Sequence, residues 1–129
     1  MKKLLLIFTL LFSTLMFSTP SYGEWTKVAK SVNGDIFYVD LERIRKHGGY
    51  VHWWTLVDYI KPTTQGHLSH RDYQQGDCKL FRHKYLSWLF HNEPMAGGTG
   101  TTLEPSDKGW NYPPPNSSIE IILKRVCSQ

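Results

Sequence analysis

The chain holds 129 residues, with 15 Lys and Arg against 11 Asp and Glu and a formal net charge of +4. That length gives room for one compact domain, and the basic residues are scattered, which excludes the clustered footprint of a nucleic-acid-binding protein. Lys2 and Lys3 supply part of the excess, so the chain beyond residue 23 carries only about +2.

Residues 1–23 read as a secretory signal peptide. Lys2 and Lys3 precede a largely apolar stretch, Leu4 to Phe17, and the polar segment Ser18 to Gly23 ends in small residues at Ser21 and Gly23. The apolar stretch is broken by Ser13 and Thr14 and falls short of the roughly 20 residues that span a bilayer. The expected product is a domain over residues 24–129, exported to the periplasm or cell surface and not inserted in the membrane. No cysteine lies near the expected cleavage site, so a lipid-anchored lipoprotein is not expected.

Trp25 to Val32 alternates imperfectly, Asn33-Gly34 is the favoured two-residue turn, and Asp35 to Val39 is rich in β-formers, so residues 25 to 40 predict a hairpin. Asp40 is placed to cap one helical turn through Ile44, which Gly48-Gly49 would end. Tyr50 to Ile60 is the strongest strand, with Val51, Trp53, Thr55, Val57 and Tyr59 on one face and His52, Trp54, Leu56, Asp58 and Ile60 on the other. One of Trp53 and Trp54 belongs to the core and the other to an interface, and the alternation alone leaves open which. Lys61 to Gly66 reads as a loop. His67 to His91 reads as two strands whose break cannot be placed, Asp77 to Lys84 supplying one part and Tyr85 to Phe90 the other, and residues 92 to 115, rich in Gly and Pro, as a long irregular connection.

The C-terminus predicts a helix. Ser117 and Glu120 have capping-box spacing, and Ile119, Ile122, Leu123 and Val126 form one apolar face that also carries Cys127. Lys124 and Arg125 occupy the last turn, where positive charge suits the helix dipole. Cys78 and Cys127 form an even pair in an exported domain and read first as a disulfide, with two free thiols or a transient redox pair as the alternative. Closing a loop of about 50 residues would stabilise the fold by roughly 4 kcal/mol in the chain-entropy model. The expected fold is α+β: an antiparallel β-sheet of about five or six strands with a C-terminal α-helix packed on it and tied by that disulfide.

Catalytic patterns are thin. His67, His70 and Asp72 lie close in sequence, but no matching ligand pair follows, so solvated polar residues are the expectation and a metal site the alternative. His83 and His91 are expected at the surface or hydrogen-bonded, and His47 toward solvent. Ser69, Ser87, Ser117 and Ser118 lack a nucleophile-elbow context, the last two being better read as helix caps. Asp35, Asp40 and Asp58 can pair only through the fold, and Gly97-Gly98-Thr99-Gly100 does not open a helix as a dinucleotide loop does. No catalytic residue, metal or cofactor is assigned. Aromatics make up 14% of the chain and occur on both faces of the Tyr50 to Ile60 strand: either one set is core and the other covers a thin sheet or a dimer contact, or the second set is a binding face.

The ordered pattern Glu24-Trp25, Phe37-Tyr38-Val39-Asp40, Ile44, Trp54-x-Leu56-x-Asp58-Tyr59, Asp77-Cys78, Pro94-Met95, Pro115, Glu120 and Val126-Cys127 resembles the surface-adhesin protein E family. The resemblance covers nearly all of residues 24–129. It implies an antiparallel sheet with a disulfide-held C-terminal helix, and the family's founding member is an adhesin that binds host matrix and plasma proteins and can pair as a homodimer. The family's founding member is a lipoprotein, and this chain has no lipobox cysteine, so surface display would need another route. The expected function is therefore an exported, non-enzymatic protein-binding domain, surface-adhesin-like. The alternative is a soluble periplasmic module that binds a cell-envelope protein or small ligand, and a hydrolase with dispersed groups is the weaker third reading.

Overall fold

The computed structural model describes residues 24–107 and 109–129, so the signal peptide expected over residues 1–23 lies outside the described residues. The strands are β1 (Thr26–Lys30), β2 (Ile36–Val39), β3 (Arg45–His47), β4 (Tyr50–Asp58), β5 (Ser69–Asp77), β6 (Arg82–His91) and β7 (Gly100–Leu103), followed by helix α1 (Ser118–Cys127). They form one antiparallel sheet in the order β1-β2-β4-β5-β6-β7, with β3 also on β4. β4 thus has two successive partners on the same edge: Tyr50–His52 pair with β3, and Thr55–Asp58 pair with β2. Seven strands stand where about five or six were expected, because β3 and β7 arise in segments without a strong β pattern.

Two turns differ from expectation. Asn33-Gly34 does not make a two-residue turn: the Ser31 N–H donates to the Asp35 carbonyl at 2.9 Å, and the Ser31 hydroxyl accepts from the Asp35 N–H at 3.1 Å. Those bonds widen the connection to five residues. Gly48-Gly49, read as a helix stop, is instead the two-residue turn between β3 and β4, with φ of +62° and +82°. Positive φ at both positions matches the twist of a hairpin and is open to glycine without strain. The turn Leu41–Arg43 does form, as a short 3₁₀ segment, but Asp40 makes no side-chain cap to it. Its N–H donates to the Trp54 carbonyl at 3.3 Å, and its carboxylate lies 3.4 Å from the Arg43 guanidinium.

Helix α1 closes one face of the sheet. Ser117 accepts from the Glu120 N–H as the cap, and Glu120 accepts from the Asn116 N–H at 3.3 Å. Ile122, Leu123 and Val126 are buried against Val39, Val51 and Trp53, with Phe37, Ile119 and Cys127 at the margin. Trp53 is therefore the core tryptophan, fully buried, and Trp54 is half-buried on the opposite face. Gly76 makes that seating available. A Cβ there would lie 2.8 Å from Trp53, 2.9 Å from Leu123 and 3.0 Å from Val51.

The Cys78–Cys127 disulfide joins the end of the helix to the turn after β5. Asp77 builds that turn: one carboxylate oxygen accepts from the Lys79 and Leu80 N–H groups at 3.1 Å, and the other from Arg82 Nε at 3.0 Å. The Leu80 N–H leads the effects that hold the Asp77 carboxyl below its ordinary range. The break between the two strands expected over 67–91 is this turn, so Asp77 to Lys84, expected within one strand, is split between the end of β5, the turn and the start of β6, because the Asp77 carboxylate caps the turn. A second irregularity follows, where Tyr73 pairs Ser87 but Gln74 pairs Tyr85, leaving Leu86 unpaired as a bulge.

Two substitutions test this packing. Gly76→Ala should destabilise the domain by about 1–3 kcal/mol through overpacking, read as a lower urea midpoint. Cys127→Ser should lower the melting temperature by roughly 10 °C or more, given 4–8 °C per kcal/mol in a domain of this size. An unchanged thermal midpoint would show that the bridge does not secure the helix.

Candidate binding face

Residues directly opposite on antiparallel strands share a face, so the registers sort the side chains. On the helix side, Thr55 faces Asp72, Trp53 faces Gln74, and Gly76 faces His83. A polar ladder runs along β5 there. The Tyr59 hydroxyl bonds His70 Nδ1, and His70 Nε2 lies 2.9 Å from Asp72 Oδ2. Gln74 Nε2 donates to Asp72 Oδ1 at 2.7 Å, and His83 Nδ1 lies 3.0 Å from Gln74 Oε1. With Asp72 as the acceptor at the centre, both arms donate toward it: Tyr59 O–H to His70 and His70 N–H to Asp72 on one side, His83 N–H to Gln74 and Gln74 N–H to Asp72 on the other.

This Tyr–His–Asp series has the connectivity of an activated nucleophile but not its electrostatics. Burial leads the effects, with the Asp35 and Asp72 charges adding to it, that push the Tyr59 hydroxyl up to about 12. Tyr59 thus keeps its proton at neutral pH. Burial also lowers His83 against the opposing pull of Asp72, so its imidazole stays neutral. The ladder holds three strands together and satisfies polar groups that would otherwise be buried unpaired.

The sequence candidates disperse into structural roles. His70 and Asp72 bond one another, whereas His67 stacks on Phe90 at 5.1 Å. Among the described residues no group of three or more His, Cys, Asp or Glu is placed to hold a metal ion. His83 and His91 are both buried and hydrogen-bonded, the latter accepting from Arg71 Nε at 3.2 Å, so neither sits at the surface. His47 is exposed. Asp35 accepts from the Ile60 N–H and Asp58 from the Met95 N–H, both at 2.9 Å. Ser69 donates to the Glu93 carbonyl at 2.6 Å and accepts from the Ala96 N–H at 2.9 Å.

Those last bonds tie a strap, Pro94–Ala96, across the face away from the helix, where Leu56 and Ser69 are buried. The strap covers only one end of that face. Beyond it, Trp54 and Tyr73 stand across from each other with ring centroids 4.9 Å apart, and His52 stacks on Tyr73 at 5.9 Å. Tyr50 packs on Trp110 at 5.4 Å, with the Arg82 guanidinium and the Lys84 ammonium 4.5 and 4.7 Å from the Trp110 ring centre. Arg45 faces His52, and His47 faces Tyr50. The bulge at Leu86 adds an apolar side chain. Together with Arg45, Lys46, His47, His52 and Tyr73, Leu86 lines an open hollow of about 640 Å³.

Sequence reasoning found the aromatic strand but missed Arg45, His47 and Trp110. Arg45-x-His47, Gly48-Gly49 and Tyr50-x-His52 together carry a hairpin signal that would have placed the first two on this face. Trp110 lies in an irregular segment and reaches the face because Asn111 bridges to His83.

Burial lowers the imidazoles of His52, His83 and His91, helped at His52 by His47 and at His91 by Arg71. The unfolded chain then takes up protons first as pH falls, so stability present above about 6.5 is lost below it. Thermal midpoints measured from pH 7.5 to pH 5 should fall, and most steeply below pH 6.5. A flat profile would contradict imidazoles whose protonation the fold disfavours.

Residues 25–128 match the family described as Surface-adhesin protein E. Among solved structures, protein E of Haemophilus influenzae is similar at 19% identity and a TM-score of 0.59, over 85% of this chain and 88% of that one. Protein E from non-typeable Haemophilus influenzae gives 20% identity and a TM-score of 0.54, over 86% of this chain and 79% of that one. No curated protein matches the chain. At such identities the structures speak for a shared fold, while the match over residues 25–128 speaks for descent: the chain belongs to the surface-adhesin protein E family.

Proposed function

We propose that this chain is an exported, non-enzymatic adhesin that holds a protein partner against the face its helix leaves open. The observation that carries the reading is the half-exposed series Tyr50, His52, Trp54, Tyr73 and Trp110, interleaved with cations, on one side of a rigid sheet. Aromatic and arginine side chains dominate the energetics of protein interfaces, and a flat sheet holds them without an ordering cost on binding. Membership of an adhesin family supports the same role. The protonated Tyr59 and the structural work of Asp35, Asp58 and Asp72 support a non-enzymatic reading.

Export rests on the leader read over residues 1–23, and among the described residues no helix is long and apolar enough to cross a membrane. Protease treatment of intact cells tests the location. Digestion supports display at the surface, and protection until the outer membrane is permeabilised would favour the periplasmic alternative. Capture of matrix and plasma proteins by intact cells tests the face. Trp54→Ala with Tyr73→Ala should lower capture about tenfold or more while Ile121→Ala, on the exposed side of the helix, leaves it unchanged. Equal capture by all three would place the interface elsewhere.

A further inference from the structure

We infer that the hollow between β3, β4 and the β6 bulge receives an acidic polypeptide segment, with Arg45, His47 and His52 taking its carboxylates and Tyr73 and Leu86 its apolar side chains. This inference rests on the open face being the binding face and names the chemistry of what binds there. Its lining is one-sided: Arg45, Lys46, His47, His52, Tyr73 and Leu86 include four basic or imidazole groups and no carboxylate. Three cations are ion-paired, Arg43 with Asp40, Arg82 with Asp77 and Lys124 with Glu120. Arg45 and His47 have no carboxylate partner among the described residues. Lys46 points to the other side, where its ammonium donates to a Gln129 oxygen at 2.8 Å, so it is the exception in the lining.

The spacing fits an extended peptide. Arg45 and His47 alternate on β3 and so project from one face about 6.6–6.8 Å apart, the same repeat at which alternate side chains of an extended chain project. His52 stands directly across from Arg45, and the same row continues through Gln75 to Lys84 on β6. At about 4.8 Å per strand that row places cations roughly 14 Å apart. One small carboxylate cannot span that distance, whereas a polypeptide with several acids can. The floor favours a polypeptide among acidic polymers: Tyr73, Leu86 and the adjoining Trp54 offer apolar contact to its aliphatic and aromatic side chains.

Fluorescence anisotropy of the purified protein tests this with three probes: a short fluorescein-labelled peptide with Glu at alternate positions and Ser and Tyr between them, its Gln-for-Glu twin, and a labelled heparin oligosaccharide. The acidic peptide should bind at least about tenfold more tightly than its twin. Arg45→Gln with His52→Gln should remove that advantage, and Lys124→Gln on the helix should not. Equal binding of the two peptides, binding untouched by the double substitution, or heparin binding here in place of the peptide would each overturn the inference. If the acidic peptide fails while Trp54→Ala with Tyr73→Ala still abolishes protein capture by cells, the acidic assignment falls and the open binding face stands. If both fail, both readings fall.

Discussion

The rest of the structure depends on the close approach of helix α1 to the sheet at Gly76. Without a side chain at that position, Leu123 descends between Val51 and Trp53 and the helix lies directly on the strands. The disulfide then fixes the helix end to a turn that Asp77 has already shaped with three hydrogen bonds. In the chain-entropy picture a bridge over 49 residues removes much of the unfolded state's freedom. A domain this small has a net stability of only about 5–15 kcal/mol, so the bridge is a large share of it.

Placing the helix on one side decides what the other side can do. β4 has to bury one set of alternate residues, and the helix selects Val51, Trp53, Thr55 and Val57. That leaves His52 and Trp54 on a face that, among the described residues, the Pro94–Ala96 strap covers at one end, anchored through Asp58 and Ser69. Polar groups on the closed side are absorbed by the ladder from Tyr59 to His83, whose directional bonds converge on Asp72. On the open side Arg82 pairs with Asp77 and Lys84 lies over Trp110, while Arg45 and His47 have no carboxylate partner among the described residues. The division is physical: one face is spent on cohesion, and the other keeps its aromatic and basic groups available.

Much of this was legible in the sequence. The capping pair Ser117 and Glu120, with apolar residues at helical spacing, gave the helix, and strict alternation gave β4. The even cysteine pair, read together with the leader expected over residues 1–23, pointed to the bridge. The choice between Trp53 and Trp54 was not legible, because alternation fixes two faces and only tertiary packing says which one is covered. The strands over 67–91 resisted reading because the bulge at Leu86 changes parity, so His83 and Tyr85 share a face with Trp88 and Phe90. The hollow was missed for a related reason. Its cations sit on β3, three exposed residues without an apolar member, and no hydrophobic periodicity marks such a strand.

The claim that one face is closed for stability and the other is open for binding is tested most directly by hydroxyl-radical footprinting of the protein on intact cells. The account predicts strong modification of Trp54, Tyr73 and Tyr50 and protection of Trp53, in a pattern that persists when the protein is purified. Equal modification of Trp53 and Trp54, or protection of the open-face aromatics in the purified protein, would contradict it.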